Sequence, residues 1–183
     1  MPNWCYNNLK VSGDLTKLKD FYEKSKDKEG NFRLDGLHPT PTSPENESEL
    51  FPGWYTWRIN NWGTKWDVDA TVKCEPSEAY QSLELSFDSA WGPPIEWLQH
   101  VAALYPELDF VMDYMEPGMA FCGVATGSNG FVGNEEGEIL MTDEDGEEVE
   151  WDSNEDKYRY VESGELIDDE DFYPEYQNSL CNL

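Results

Sequence analysis

Hydrophobic and polar positions alternate or recur along most of the chain, and the period switches between two and about 3.6. Residues 3–11 (NWCYNNLKV) mix aromatic, Cys, Leu and Val positions and stop at Ser12-Gly13, which predicts an opening strand. Asp14 then suits an N-cap, and Leu15, Leu18, Phe21 and Tyr22 recur at helical spacing, so an amphipathic helix is expected over 14–29, ending near Gly30. Residues 31–53 hold four prolines among Ser, Thr and Glu and read as a long, largely irregular insertion. An aromatic run (Phe51, Trp54, Tyr55, Trp57, Trp62, Trp66) leads into alternation over 66–74 (WDVDATVKC), and 82–87 (SLELSF) alternates again, so these two runs should pair across the turn at Pro76-Ser77. Pro93-Pro94 opens a second helix carrying Ile95, Leu98, Val101 and Tyr105 on one stripe, and strands are expected over 109–115 and 119–126. Residues 138–142 and 147–151 read as a hairpin around Asp145-Gly146, with Ile139 and Met141 opposite Trp151 and Val149 and acids on the other face. The order β-α-β-β-α-β with one extra strand predicts an α+β fold: a split βαβ antiparallel sheet with two helices on one face, extended by an acidic C-terminal β-hairpin region.

Composition changes that picture in one respect, the charge. A chain of 183 residues with 38% hydrophobic and 14% aromatic residues has enough apolar matter for one main core. Its net charge of −27 is lopsided: residues 1–73 hold ten Lys and Arg against 11 acids, whereas 74–183 hold only Lys157 and Arg159 against 28 acids. Residues 134–175 alone carry 19 acids. Such a surface repels phosphate backbones and anionic lipids and attracts basic surfaces or cations. Cys5, Cys74, Cys122 and Cys181 form no CxxC pair, and the start lacks a signal-peptide pattern, which predicts reduced thiols in a cytoplasm. No apolar run approaches the roughly 20 residues of a membrane helix.

Three segments carry a resemblance: MPNWCYNNLKVSG at the N-terminus, NNWGTKWD at 60–67, and FDSAWGPP at 87–94. Together they resemble the YubB-type ferredoxin-like domain family of plasmid and phage proteins, whose function is unassigned, with the likeness spanning roughly residues 1–130. The resemblance implies a ferredoxin-like domain over 1–133 with the Pro-rich insertion at 31–53. Residues 134–183 would then be an acidic hairpin and C-terminal extension packed on the same core. It also implies origin in a mobile element, and it supplies no catalytic residues.

Each constellation with possible chemistry has a structural counterpart. Asp67 and Asp69, two apart on an expected strand, would share a face and with Asp88 offer a divalent-ion site for an enzyme acting on nucleic acid; strand alternation alone predicts the same spacing. Residues 141–152 overlay a calcium loop imperfectly, since Met141 stands where the first ligand should be, and a hairpin turn accounts for Asp145-Gly146 equally well. His38 and His100, the only histidines, show no spacing for nucleophilic catalysis. Gly127 to Gly130 lacks the lysine and following helix of a phosphate loop and reads as a turn. Trp54, Tyr55 and Trp57 either anchor the irregular insertion or form a protein-binding patch. The sequence thus reads as a non-enzymatic binding protein, without cofactor or metal, whose acidic surface engages a basic nucleic-acid-binding protein such as a host defence nuclease. The contact residues expected are Glu135, Glu136, Glu138, Asp143, Glu144, Asp145, Glu147, Glu148, Glu150, Asp152, Asp168, Asp169, Glu170 and Asp171. Direct nucleic-acid binding and membrane association are not expected.

Overall fold

Alternation along the first strand sets the two sides of the sheet. In β1 (Trp4–Gly13), Cys5, Asn7, Leu9 and Val11 are buried while Trp4, Tyr6, Asn8 and Lys10 are exposed, as a pleated strand with one covered face requires. The structure, a computed structural model, describes residues 3–42, 52–152, 154–168, 172 and 175–178. β1 runs antiparallel between β3 (Ser82–Ala90) and β4 (Leu108–Glu116), with Leu9 opposite both Leu85 and Met112. The edge strand β2 (Thr71–Cys74) pairs with β3. Beyond β4 follow β5 (Phe121–Ser128), β6 (Phe131–Thr142), β7 (Glu148–Asp152) and β8 (Lys157–Tyr160), giving the order β2-β3-β1-β4-β5-β6-β7-β8. β9 (Glu175–Asn178) pairs with β6. Every pairing is antiparallel.

Four helices accompany the sheet. α1 (Leu15–Lys24) starts where the Asp14 carboxylate accepts the N–H groups of Thr16 and Lys17, and its apolar stripe buries Leu18, Phe21 and Tyr22. α4 (Ile95–Leu104) buries Trp97, Leu98 and Val101 in the same core, together with Leu9, Leu83, Leu85, Phe110 and Met112 of the sheet. Phe21 meets Tyr105, Phe110 and Trp97 edge-on at 5.4, 5.7 and 6.4 Å, pairs each worth about 0.5–1.5 kcal/mol beyond burial. On β4, the Tyr114 ring lies over Gly123 of β5, where a Cβ would come within 2.2 Å of it. The Tyr114 hydroxyl donates to Asn134 Oδ1 at 2.9 Å, tying β4 to β6 across the intervening strand.

Several expected elements have different bounds. The insertion is not wholly irregular: α2 (Leu34–Leu37) lies within it, and α3 (Gly53–Trp62) begins at its end and takes up most of the aromatic run, while residues 43–51 lie outside the described ones. α3 stops at Gly63, whose φ of 81° is the left-handed conformation of a helix C-terminus. Indole N–H groups fasten this region, Trp62 to the carbonyl of His38 at 2.8 Å and Trp97 to that of Leu34 at 2.9 Å. The strand expected over 66–74 is only Thr71–Cys74, because Asp67 turns aside to cap α2. The 138–151 hairpin pairs only Met141 with Val149 and Thr142 with Glu148; Ile139 faces Asn178 of β9 instead of Trp151. β6 begins at Phe131, so the boundary expected after residue 133 falls inside one continuous strand.

Candidate partner-binding surface

The acidic residues are displayed by β6, β7 and the turns around them, while β8 carries Lys157 and Arg159. On β6, Glu135, Glu136 and Glu138 are exposed; in the β6–β7 turn and at the start of β7, Glu144, Asp145, Glu147 and Glu148 are exposed. The turn folds around Asp143, whose Oδ1 accepts the N–H groups of Asp145 and Glu147 at 3.0 and 2.9 Å. These bonds, chiefly that from Glu147, hold the Asp143 carboxyl below the usual carboxylate range. The Tyr160 hydroxyl on β8 donates to its other oxygen at 3.1 Å, so Asp143 anchors the turn.

Both cations of this half are already paired. Arg159 lies opposite Glu150 across β7–β8 and donates to it at 2.7 Å and to Asp152 at 3.2 Å, and Lys157 reaches Asp168. Glu150, Asp152 and Asp168 thus share the two cations, leaving one net negative charge among them, while Glu135, Glu138, Glu144, Asp145, Glu147 and Glu148 have no ion-pair partner among the described residues. Asp169, Glu170 and Asp171 lie outside the described residues.

Two of the three aspartates weighed for a divalent ion have partners within the chain. Asp67 is not on a strand: its Oδ1 accepts from Leu34 N at 2.7 Å and Val68 N at 2.9 Å, and its Oδ2 from Asp35 N at 3.3 Å. Burial pushes its pKa up while these donors oppose the shift. Asp69 pairs with Arg33, and Asp88 is exposed on β3. Among the described residues no group of three potential ligands converges. The aromatic candidates are half-buried on α3: Trp57 packs against the core, Arg58 lies over Trp54 and Trp62 at 5.5 and 4.5 Å, and Lys65 lies over Tyr55 at 5.5 Å.

Two arrangements escaped the sequence. His38 and His100 stack with ring centroids 3.6 Å apart, flanked by Trp57, and His38 Nδ1 is buried without a partner. Burial, with His100 adding to it, pushes the His38 imidazole down to about 4. At the β1–β3 end of the core, Asn7 Nδ2 donates to Cys5 O, Ser89 Oγ and Phe87 O at 2.8, 2.9 and 3.2 Å. Ser89 donates on to Gly92 O, and Thr64 Oγ1 bonds both the N–H and the carbonyl of Ala90. This network joins residues from all three Trp-containing segments, so their shared polar residues hold the fold together.

Residues 61–162 match the family described as the ferredoxin-like domain in Api92-like protein. That span reaches across the acidic hairpin and leaves out β1 and α1, unlike the likeness expected over 1–130. The crystal structure of a protein Api92 from Yersinia pseudotuberculosis is similar at a TM-score of 0.49 and 12% identity, over 75% of this chain and 98% of that one. No curated protein matches. Among the described residues no helix is long and apolar enough to cross a membrane. With its family match covering more than half of its length, the chain belongs to the ferredoxin-like domain family of Api92-like proteins.

Proposed function

We propose that the protein is a non-enzymatic binding protein of a mobile element, whose acidic lobe occupies the nucleic-acid site of a basic protein such as a defence nuclease and so inhibits it. The scaffold is read as a split βαβ unit, β2-β3-β1-β4, with the acidic strands added beyond it. One observation carries the reading: residues 135–168 hold 15 acids against two cations, both cations are consumed internally, and the carboxylates not paired with them, Asp143 apart, are exposed on strands and turns. Side chains on one strand face fall about 7 Å apart and neighbouring strands about 4.8 Å apart, so a single strand cannot match the one charge per roughly 1.7 Å of duplex DNA, whereas several strands approach it. β7 beside β6 adds Glu148 and Glu150, and β9 adds Glu175 opposite Thr142, whereas β8 contributes the two cations and no carboxylate.

The test is capture of basic nucleic-acid-binding proteins on the immobilised protein, followed by elution with salt and with duplex DNA. Expected is steep loss with salt, displacement by DNA, and failure of capture by the quadruple variant Glu144→Gln, Asp145→Asn, Glu147→Gln, Glu148→Gln. A partner that survives high salt, ignores DNA and is released by Trp54→Ala or Trp57→Ala would place binding on the aromatic surface and end the mimicry reading.

A further inference from the structure

α1 and α4 pack on one face of the sheet, and among the described residues no helix covers the opposite face of β1, whose Trp4, Tyr6, Asn8 and Lys10 are exposed. Its aromatic end is unusual for a surface: Trp4, Tyr6 and Trp91 are 42%, 49% and 48% exposed. Trp4 and Tyr6 share the exposed face of β1, and exposed apolar patches often mark interaction sites. Trp4 leans on Trp66 with centroids 5.9 Å apart. Trp91 holds a φ of 74°, an uncommon conformation for a bulky residue, closed by its N–H bond to Asn3 O at 3.0 Å.

Beside Tyr6 the register places Asp88, and a hollow of about 340 Å³ opens there, lined by Tyr6, Asn8, Asp69, Thr71, Ser86 and Asp88. The charges around it select the occupant. Asp88 is exposed and has no hydrogen-bond or ion-pair partner among the described residues, Asp69 is held by Arg33, and the nearby Lys10 is neutralised by Glu84 at 2.9 Å. The rings of this region already receive a cation, since Lys65 Nζ lies 4.7 Å from the Trp66 centroid. A free carboxylate, two hydroxyls and exposed ring faces suit a planar cation with several donors, which is a guanidinium. A nucleic-acid phosphate would meet Asp69, Asp88 and Asp113 on the same face.

We propose that this hollow takes an arginine side chain from a basic polypeptide, with Asp88 accepting its N–H groups and Tyr6 offering a ring face. The inference rests on the reading that the partner is basic, but the surface is separate from the acidic lobe, so the two can fail independently.

The probe is the peptide acetyl-Gly-Arg-Gly-amide, with its neutral citrulline analogue as control, followed by NMR of the full chain carrying the quadruple acidic-lobe substitutions given above. Expected are saturable shifts at Tyr6, Thr71 and Asp88, which line the hollow, with the arginine peptide and none with citrulline. Asp88→Asn and Tyr6→Ala should each weaken binding about two- to fivefold, the range of an exposed cation–π or ionic contact. Shifts confined to residues 135–168, an unchanged affinity in Asp88→Asn, or tighter binding of oligothymidylate at the rings would overturn it. Partner capture lost in the quadruple variant, with peptide binding intact, would support both readings; capture retained with peptide binding intact would sink only the lobe.

Discussion

Adjacent residues on β1 have opposite fates, and this yields the sharpest test at the residue scale. Asn7 is buried and its amide serves three acceptors, whereas Asn8 is exposed and donates to Asp113 at 2.7 Å. Asn7→Ala should destabilise by about 2–3 kcal/mol, because buried carbonyl and hydroxyl groups lose their donor. Asn8→Ala should change stability by no more than about 0.5 kcal/mol, and urea unfolding of both distinguishes them. The histidine pair predicts a pH effect of definite sign. Between about 4 and the ordinary 6.5, the unfolded chain binds a proton that folded His38 refuses. Its contribution to stability is therefore complete above about 6.5 and lost as pH falls toward 4. His38→Asn should narrow the fall in Tm between pH 7 and 4.5, and NMR should find His38 titrating near 4; titration at the ordinary value would remove the argument. Nothing in the sequence pointed to this stack, since 62 positions separate the two rings and neither neighbourhood carries a catalytic pattern. The acidic residues were legible individually, but Arg159's pairing with Glu150 depends on the β7–β8 register, and Lys157 reaches Asp168 beyond β8.

Elements with a clear period were read nearly to their ends, as in β3, β4 and α4, because one buried face forces the pattern. β6 was missed before residue 138 since NEEGE lacks the residues that favour strands; the pairing of 131–138 with β5 makes it a strand. α3 was hidden for the converse reason, as Trp, Tyr, Thr and Ile are poor helix formers whose packing overrides their preference. The cap on α2 gives the prediction at this scale. Asp67→Ala should cost about 1–2 kcal/mol by orphaning the N–H groups of Leu34 and Asp35, whereas Asp88→Ala should be nearly neutral. Equal effects on stability would mean that Asp67 does not organise the insertion, and chemical denaturation of the two variants decides it.

Across the whole molecule the excess charge sits in the strands added beyond β5, where 15 acids over 135–168 face two cations. Those carboxylates repel one another in the folded state, so Tm should rise between about 0.01 and 1 M salt as the screening length falls from about 30 to 3 Å. The quadruple variant at Glu144, Asp145, Glu147 and Glu148 should show a smaller rise; a flat melting temperature for the parent would indicate that the charges are already balanced. β6 also has a protective role. It covers the otherwise open edge of β5, whose backbone donors and acceptors over 121–128 are satisfied by residues 131–138. Open edges recruit strands from other molecules, and charged side chains are a common guard against this. Loss of β6 by truncation or proteolysis would leave β5 unguarded and strip away Val132, which packs against the core. A chain ending before Phe131 should thus self-associate into β-rich aggregates, so the strand that carries the proposed binding acids is also the one that closes the sheet edge.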